Sequence, residues 1–298
     1  MFMAEIEKIN NDFVNLFREG RPLLENGCGK AMNVCREEAF RHFEALGGVP
    51  YKTEDYWYTD LSSVLGLDYK IVLKYIAQDV DLKEVFRCAV PDLLTNLILT
   101  VNGWYFKENA PIEIPEGVIV CGLQEAGVKY PHLLESHYNR YTPAAAKDGM
   151  IALNTAFAQD GLFVYIPKNT VVERPLQVVN LLRAKADLMA FQRNLIVVEA
   201  GAQATMLVCD HTLSDNRFLM NNTTEVYLGE GAHLDYYQVQ NQHLGASQIN
   251  SLLISEQRNS VFESNLVTLY GGMIRNNQYV ALNGEGGECH LYGIYILD

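Results

Sequence analysis

Between Ala158 and Leu297 the chain keeps returning to one pattern, and that recurrence leaves few folds open. The pattern reads "VVEAGAQATMLV" (Val197–Val208), "YLGEGAHLDYYQV" (Tyr227–Val239) and "LNGEGGECHLYGI" (Leu282–Ile294). Each copy is a strand, an acidic residue near a glycine, a small residue and a second strand, anchored on Gly201, Gly231 and Gly286. A degenerate copy, Ile254–Leu266, puts Asn259 in the glycine's place, and Asn169 marks an earlier one. The steps are about 27–32 residues, the spacing of a solenoid repeat. Gly or Asn at each corner suits a turn that needs positive φ. After the anchors, Ala202, Ala204, Met206 and Val208 fall on one strand face, in phase with Ala232, Leu234 and Tyr236 and with Gly287, Cys289 and Leu291. Period-two alternation kept in phase predicts one buried face repeated coil after coil, a face that a single strand pair cannot bury alone. The fold class expected is therefore mainly β: a β-helix preceded by a helical region. Turn-separated strands also fit a β-sandwich; the fixed phase after each corner favours the solenoid.

Helical periodicity dominates upstream. Ala4–Arg18 places Ile6, Ile9, Phe13, Leu16 and Phe17 on one side, with Gly20 and Pro22 predicted to end the helix. Met32–Leu46 reads as a second helix, with Val34, Phe40, Phe43 and Leu46 apolar and Gly47-Gly48 as its C-cap. Asn102-Gly103 predicts a hairpin within Thr95–Phe106, and a Pro-Glu-Gly turn precedes a strand in Ile114–Leu123. The stretch 60–91 reads as mixed short helices and strands, and Tyr130–Lys147 as mostly helical. Two regions follow: residues 1–105, mostly helical, and residues 106–298, a β-helix core. The aromatics Tyr56, Trp57 and Tyr58 are expected to pack onto a neighbouring element rather than to bind a partner.

Charge narrows the partners. A formal net charge of −13 argues against nucleic acid and anionic membrane surfaces, which need clustered Lys and Arg. Cys28, Cys35, Cys88, Cys121, Cys209 and Cys289 are scattered and form no C-x-x-C pair. No stretch is apolar enough to span a bilayer, and the acidic N-terminus does not resemble a targeting peptide, so a reducing cytoplasm is expected.

Chemistry is sparse. Cys209 and His211 share a strand face in "LVCDHTL" and are the best metal candidates, with His233 or His243 able to join from a neighbouring coil. A surface histidine beside a half-buried cysteine explains the same residues. Cys289 is in phase with the core face, where a thiol behaves as a small hydrophobe, while His290 faces outward. Glu199, Glu230, Asp235, Glu263, Glu285 and Glu288 recur with the coil period. Convergent carboxylates on a β-helix would make a carbohydrate-active enzyme, the alternative function. Corner carboxylates facing solvent are the simpler account, and no nucleophile motif is present.

Three segments carry a family resemblance: "ALGGVPYKTEDYWYTDLSSVL" (Ala45–Leu65), "ALNTAFAQDGLFVYIPKNTVVERPLQV" (Ala152–Val178) and "LVTLYGGMIRNNQYVALNGEGGECHLYGIYIL" (Leu266–Leu297). In this order they resemble the SufB/SufD family of iron–sulfur cluster assembly proteins, its SufD branch most closely. Trp57, Tyr58, Asp60, Gly161, Pro167, Pro175, Gly201, Gly231, Arg275, Asn276, Gly284 and Gly286 fall on signature or structural positions. The resemblance implies a right-handed parallel β-helix and a non-catalytic scaffold in a SufBCD-type complex. Its implied partners are a SufB paralogue and the ABC-type ATPase SufC, the latter through a C-terminal region absent here. It implies no tightly bound cofactor, only a transient iron–sulfur cluster in the intact complex. By the family's pattern the chain stops in mid-architecture, so an incomplete β-helix that self-associates, as a homodimer or larger, is expected.

Overall fold

The computed structural model describes residues 2–77, 80, 94–140 and 145–296. Cys88, and much of the stretch read as mixed short elements, lies outside them. Helix α1 (Phe2–Glu25) buries Ile6, Ile9, Phe13 and Phe17, as the periodicity predicts. It does not end at Gly20 or Pro22. Leu73 packs where a Cβ on Gly20 would stand, and fully buried Leu24 holds the last turn in place. Helix α2 (Lys30–Ala45) buries Met32, Ala39, Phe40 and Phe43 together with Arg36, while Val34 and Leu46 are exposed, contrary to expectation. Gly47 and Gly48, both at positive φ, close the helix, and Gly48 N–H bonds to Phe43 O at 2.9 Å. A short turn α3 (Ser62–Leu65) and strand β1 (Lys70–Ile71) follow.

The solenoid begins where two edges are laid down. Strands β2 (Asn96–Val101) and β3 (Trp104–Tyr105) form the predicted hairpin around Asn102 and Gly103, both at positive φ. Strand β4 (Ile119–Gly122) leads into α4 (Leu123–Lys129), α5 (Pro131–His137) and the fully buried α6 (Gly149–Phe157). Ten strands then alternate between two parallel sheets. One holds β5 (Leu162–Ile166), β7 (Leu188–Val198), β9 (Phe218–Leu228), β11 (Ala246–Glu256) and β13 (Ile274–Leu282). The other holds β6 (Val171–Leu182), β8 (Gln203–Thr212), β10 (His233–Asn241), β12 (Val261–Tyr270) and β14 (Glu288–Tyr295). This is a parallel β-solenoid of about four turns, with β2 flanking β6 and β4 flanking β5.

The corners are the ones the sequence marks. Asn169, Gly201, Gly231, Asn259 and Gly286 all have φ between 53° and 73°. Their N–H groups climb the corner as a ladder: Asn169 to Ala200 O, Gly201 to Glu230 O, Gly231 to Arg258 O and Asn259 to Glu285 O, each 2.9–3.0 Å. Glycine is required above asparagine, because a Cβ on Gly201 would lie 2.5 Å from Asn169 Oδ1 and one on Gly286 2.3 Å from Asn259 Oδ1. The helices lie on the outer face of the odd-numbered sheet. Phe13, Phe17, Phe43 and Phe157 join Met189, Phe191, Leu219 and Ile249 in one core, while α4 and α5 cover Phe163, Leu195 and Val197.

Candidate functional site

Inside the solenoid the first half of each coil is apolar. Ala204, Met206, Leu234, Tyr236 and Phe262 meet Ile196, Val198, Val226 and Ile254. The second half is polar and was not anticipated. Thr100, Asn180, Asp210, Gln240 and Thr268 sit side by side across five strands, and Gln192, Asn222, Asn250 and Asn276 stack on the facing sheet. Asn180 donates to Asp210 Oδ1 at 2.8 Å and Gln238 to Oδ2 at 2.9 Å. Gln240 and Asn250 both donate to Asn276 Oδ1, at 3.1 and 3.0 Å, and Asn276 returns a bond to Gln240 at 3.0 Å. Burial pushes the Asp210 carboxyl up, against the amides that stabilise its charge. The period-two signal identifies this face but says nothing about where its lining turns polar.

Cys209 and His211 flank Asp210 on the outer face. Cys209 is buried among Leu99, Val101, Phe106, Val179 and Leu181, so a hydrophobic layer surrounds it. His233 bonds to Asp235 at 2.9 Å and aligns with Gln203, well along the strand from Cys209. His243 bonds to Ser214 O at 3.0 Å and accepts from Gly245 N–H at 2.9 Å. Among the described residues no group of three or more His, Cys, Asp or Glu could hold a metal. Cys289 packs against the apolar interior as its phase predicts, and burial beside Glu256 pushes its thiol up to about 12. His290 is outward, 3.3 Å from Glu288. The recurring carboxylates follow the coils: Glu230 and Glu285 are exposed at corners, and Asp235 aligns with Glu263 on an outer row.

The signature residues divide by role. Gly161 passes so close to the next strand that a Cβ would meet Arg193 O at 2.0 Å, and Gly284 likewise abuts Arg258 N at 2.2 Å. Pro175 lies in the bulge between Val172 and Leu176, where a missing ladder donor costs nothing. Pro167 follows β5 beside Gly117. Asn276 belongs to the interior amide stack. Arg275, its neighbour, points outward and clamps the N-terminal region: its guanidinium lies 3.8 Å over the Tyr56 ring and donates to Thr59 Oγ1 at 2.8 Å and to Asp55 O. Tyr56 and Tyr279 donate to buried Asp148 at 2.8 and 3.1 Å, and Asn277 donates to Tyr56 Oη at 3.0 Å. Burial raises the Asp148 carboxyl, with these donors opposing the rise. The expected aromatic packing therefore holds for Tyr56 and fails for its neighbours: Trp57 is 62% exposed and Tyr58 98%.

A second polar cluster was also unread. Arg193, fully buried on β7, donates through Nε and Nη2 to Glu225 at 3.0 and 2.6 Å, and Asn139 and Arg140 N–H groups complete that carboxylate. Both residues lie under α5 and α6 and tie the helical layer to the sheet. At the far end of the solenoid, β13 and β14 are the last strands of their sheets among the described residues, and Leu282, Tyr292, Ile294 and Tyr295 are each more than half exposed. Among the described residues, no helix is long and apolar enough to cross a membrane.

Two family models cover the chain almost end to end. Residues 7–178 match the SufBD protein N-terminal region, and residues 181–298 match the SufBD core domain of SUF system FeS cluster assembly. The iron-sulfur cluster assembly SufBD family protein ABCI9 of Arabidopsis thaliana is 31% identical over 170 residues, which are 57% of this chain and 36% of that protein. The SufBD family protein slr0076 of Synechocystis is 24% identical over 260 residues, 84% of this chain and 56% of that protein. SSP1857 of Staphylococcus saprophyticus is 24% identical over 253 residues, 78% of this chain and 53% of the relative. The chain thus spans little more than half the length of these relatives at most.

Proposed function

The chain belongs to the SufBD family of the SUF iron–sulfur cluster assembly system, and from that premise we propose that it works as a SufD-like scaffold subunit. In this reading it pairs with a SufB paralogue and acts with the ABC-type ATPase SufC. It is not itself a catalyst, and it holds no resident cofactor. The cluster is cargo, assembled on the complex and passed on. The observation that supports the reading best is the pair of family matches, residues 7–178 and 181–298, carried on a parallel β-solenoid. The relatives are longer than the matched region, and the reading assigns the SufC contact to that additional length. The reading also includes self-association, as a homodimer or larger. The scattered cysteines, with no disulfide among the five described, suit a reducing cytoplasm.

Co-purification tests the reading. Co-expressed with a SufB-like and a SufC-like protein, the chain extended to the relatives' length should capture both, and the 298-residue chain at most the SufB-like one. Failure of both forms to capture either protein would remove the scaffold assignment and leave the family and fold standing.

A further inference from the structure

Residues 54–60 combine a rigid base with two side chains the fold does not use. The 3-10 turn Glu54–Tyr56 closes with Tyr56 N–H on Thr53 O and Trp57 N–H on Glu54 O, and Thr59 N–H then returns to Tyr56 O at 3.0 Å. Below it, Arg275 grips Asp55 O and Thr59 Oγ1, and Tyr56 is tied to Asp148. Behind it, Asp60 Oδ1 accepts from Ser62 N and Oγ at 3.0 and 2.6 Å, and Leu61 is buried. Every residue around the tip is anchored, yet Trp57 and Tyr58 project into solvent.

We propose that Trp57 and Tyr58 form a docking tip for a partner protein, specifically for a segment that presents Lys or Arg side chains beside apolar ones. Trp and Tyr dominate binding energy where they can be buried by a partner, and a turn already held in place loses little entropy on binding. Charge selects the partner. The exposed residues Glu54 and Asp55 precede the two rings in the same turn, and exposed Asp60 follows them. The nearby cations are otherwise engaged: Lys52 lies over Tyr51, and Arg275 lies beneath Tyr56. Exposed indole and phenol faces attract ammonium and guanidinium groups, and the chain's net charge of −13 steers cations toward it. This inference does not depend on the scaffold reading, because its test uses peptides alone and neither a SufB-like nor a SufC-like protein.

The chain has two tryptophans, and the other, Trp104, is buried, so emission changes on ligand addition report chiefly on Trp57. The probes are two short peptides, one alternating Arg and Leu and one alternating Glu and Leu. Trp57 should be quenched by acrylamide, a neutral quencher, in the 298-residue chain. The Arg–Leu peptide should then blue-shift its emission saturably, more weakly at high salt, and the Glu–Leu peptide should not. By anisotropy of a labelled peptide, Trp57→Ala with Tyr58→Ala should lose about tenfold or more in affinity. Glu54→Lys with Asp55→Lys should lose affinity as well, with thermal melts of both variants matching the parent. Three results overturn the proposal: a Trp57 already shielded from acrylamide, equal binding of the two peptides, or a double alanine variant that binds as the parent does. Self-association that disappears with Trp57→Ala and Tyr58→Ala also overturns it, by assigning the tip to a second copy.

Discussion

Along β8 the inward side chains run Ala204, Met206, Val208 and then Asp210; along β10 they run Leu234, Tyr236, Gln238 and Gln240. The two halves of the interior share a backbone, a register and a parity, and they are held by different forces. The apolar half is stabilised by area removed from water, which is non-directional and tolerates small slips. The amide half gains little net energy per bond but is costly when a partner is missing. Several of its side chains answer to a specific neighbour one coil away: Thr100 to Asn180, Asn180 to Asp210, Thr268 to Gln240. The first half therefore supplies stability and the second fixes which coil residue faces which.

Truncation in the apolar half should show the largest effect. Phe262 is fully buried between Leu234 and Cys289, its ring 6.2 Å from that of Tyr236. Phe262→Ala should cost about 3–5 kcal/mol in denaturant melts. In the amide half, Asp210→Ala strands the donors of Asn180 and Gln238 and should cost about 1–3 kcal/mol. The division of labour fails if Asp210→Ala costs more than Phe262→Ala. It is sharpened if Asp210→Ala also broadens amide exchange across β8 and β10 while Phe262→Ala does not, since loss of a directional partner loosens register.

Corners and interior differ in how far the sequence reveals them, and the reason is physical. A corner needs positive φ, which only Gly and Asn supply cheaply, so Asn169, Gly201, Gly231, Asn259 and Gly286 announce themselves. The inward parity is equally legible where it is apolar. Gln240, Asn250 and Asn276 are not, because an Asn or Gln on a strand reads as solvent-facing until the coil above it is known. Arg193 and Glu225 fail for the same reason: their burial is set by α5 and α6, far off in sequence. Trp57 and Tyr58 mislead in the opposite direction, since apolar composition says nothing about whether a covering element exists. The Arg275–Tyr56 clamp joins residues more than two hundred positions apart and carries no local signal.

The corner rule can be tested against the interior with one pair of substitutions. Gly201→Ala places a Cβ at φ +68° and 2.5 Å from Asn169 Oδ1. The backbone strain alone should cost about 1–2 kcal/mol, less than Phe262→Ala. Part of the loss is a collision with one side chain, so Asn169→Gly should return part of it. Additive effects in the double variant would mean that backbone strain is the whole cost and that the stacked asparagine is incidental.

The last effect expected is one of pH, and it separates buried aspartates that are anchored by backbone from the amide-anchored Asp210. Asp160 accepts from the N–H groups of Tyr105 and Gln124 at 3.0 and 2.9 Å, tying the β2–β3 hairpin to α4, and burial pushes its carboxyl up to about 6 despite those donors. A carboxyl raised in the folded state binds its proton more tightly there than in the unfolded chain. Its contribution is fully present below the ordinary value near 3.8 and is lost as pH rises through about 6. Asp148 and Asp210 shift in the same direction. Each therefore tilts the stability curve downward from acid to neutral pH. Asp160→Asn removes one of these tilts, and because both carboxyl oxygens accept N–H groups, it also sets an amide against one donor at a cost of about 1–3 kcal/mol. Melts across this window should show a lower but flatter curve for Asp160→Asn than for the parent. If the two curves run parallel, Asp160 does not titrate in the window, and its backbone donors hold the charge more firmly than burial opposes it.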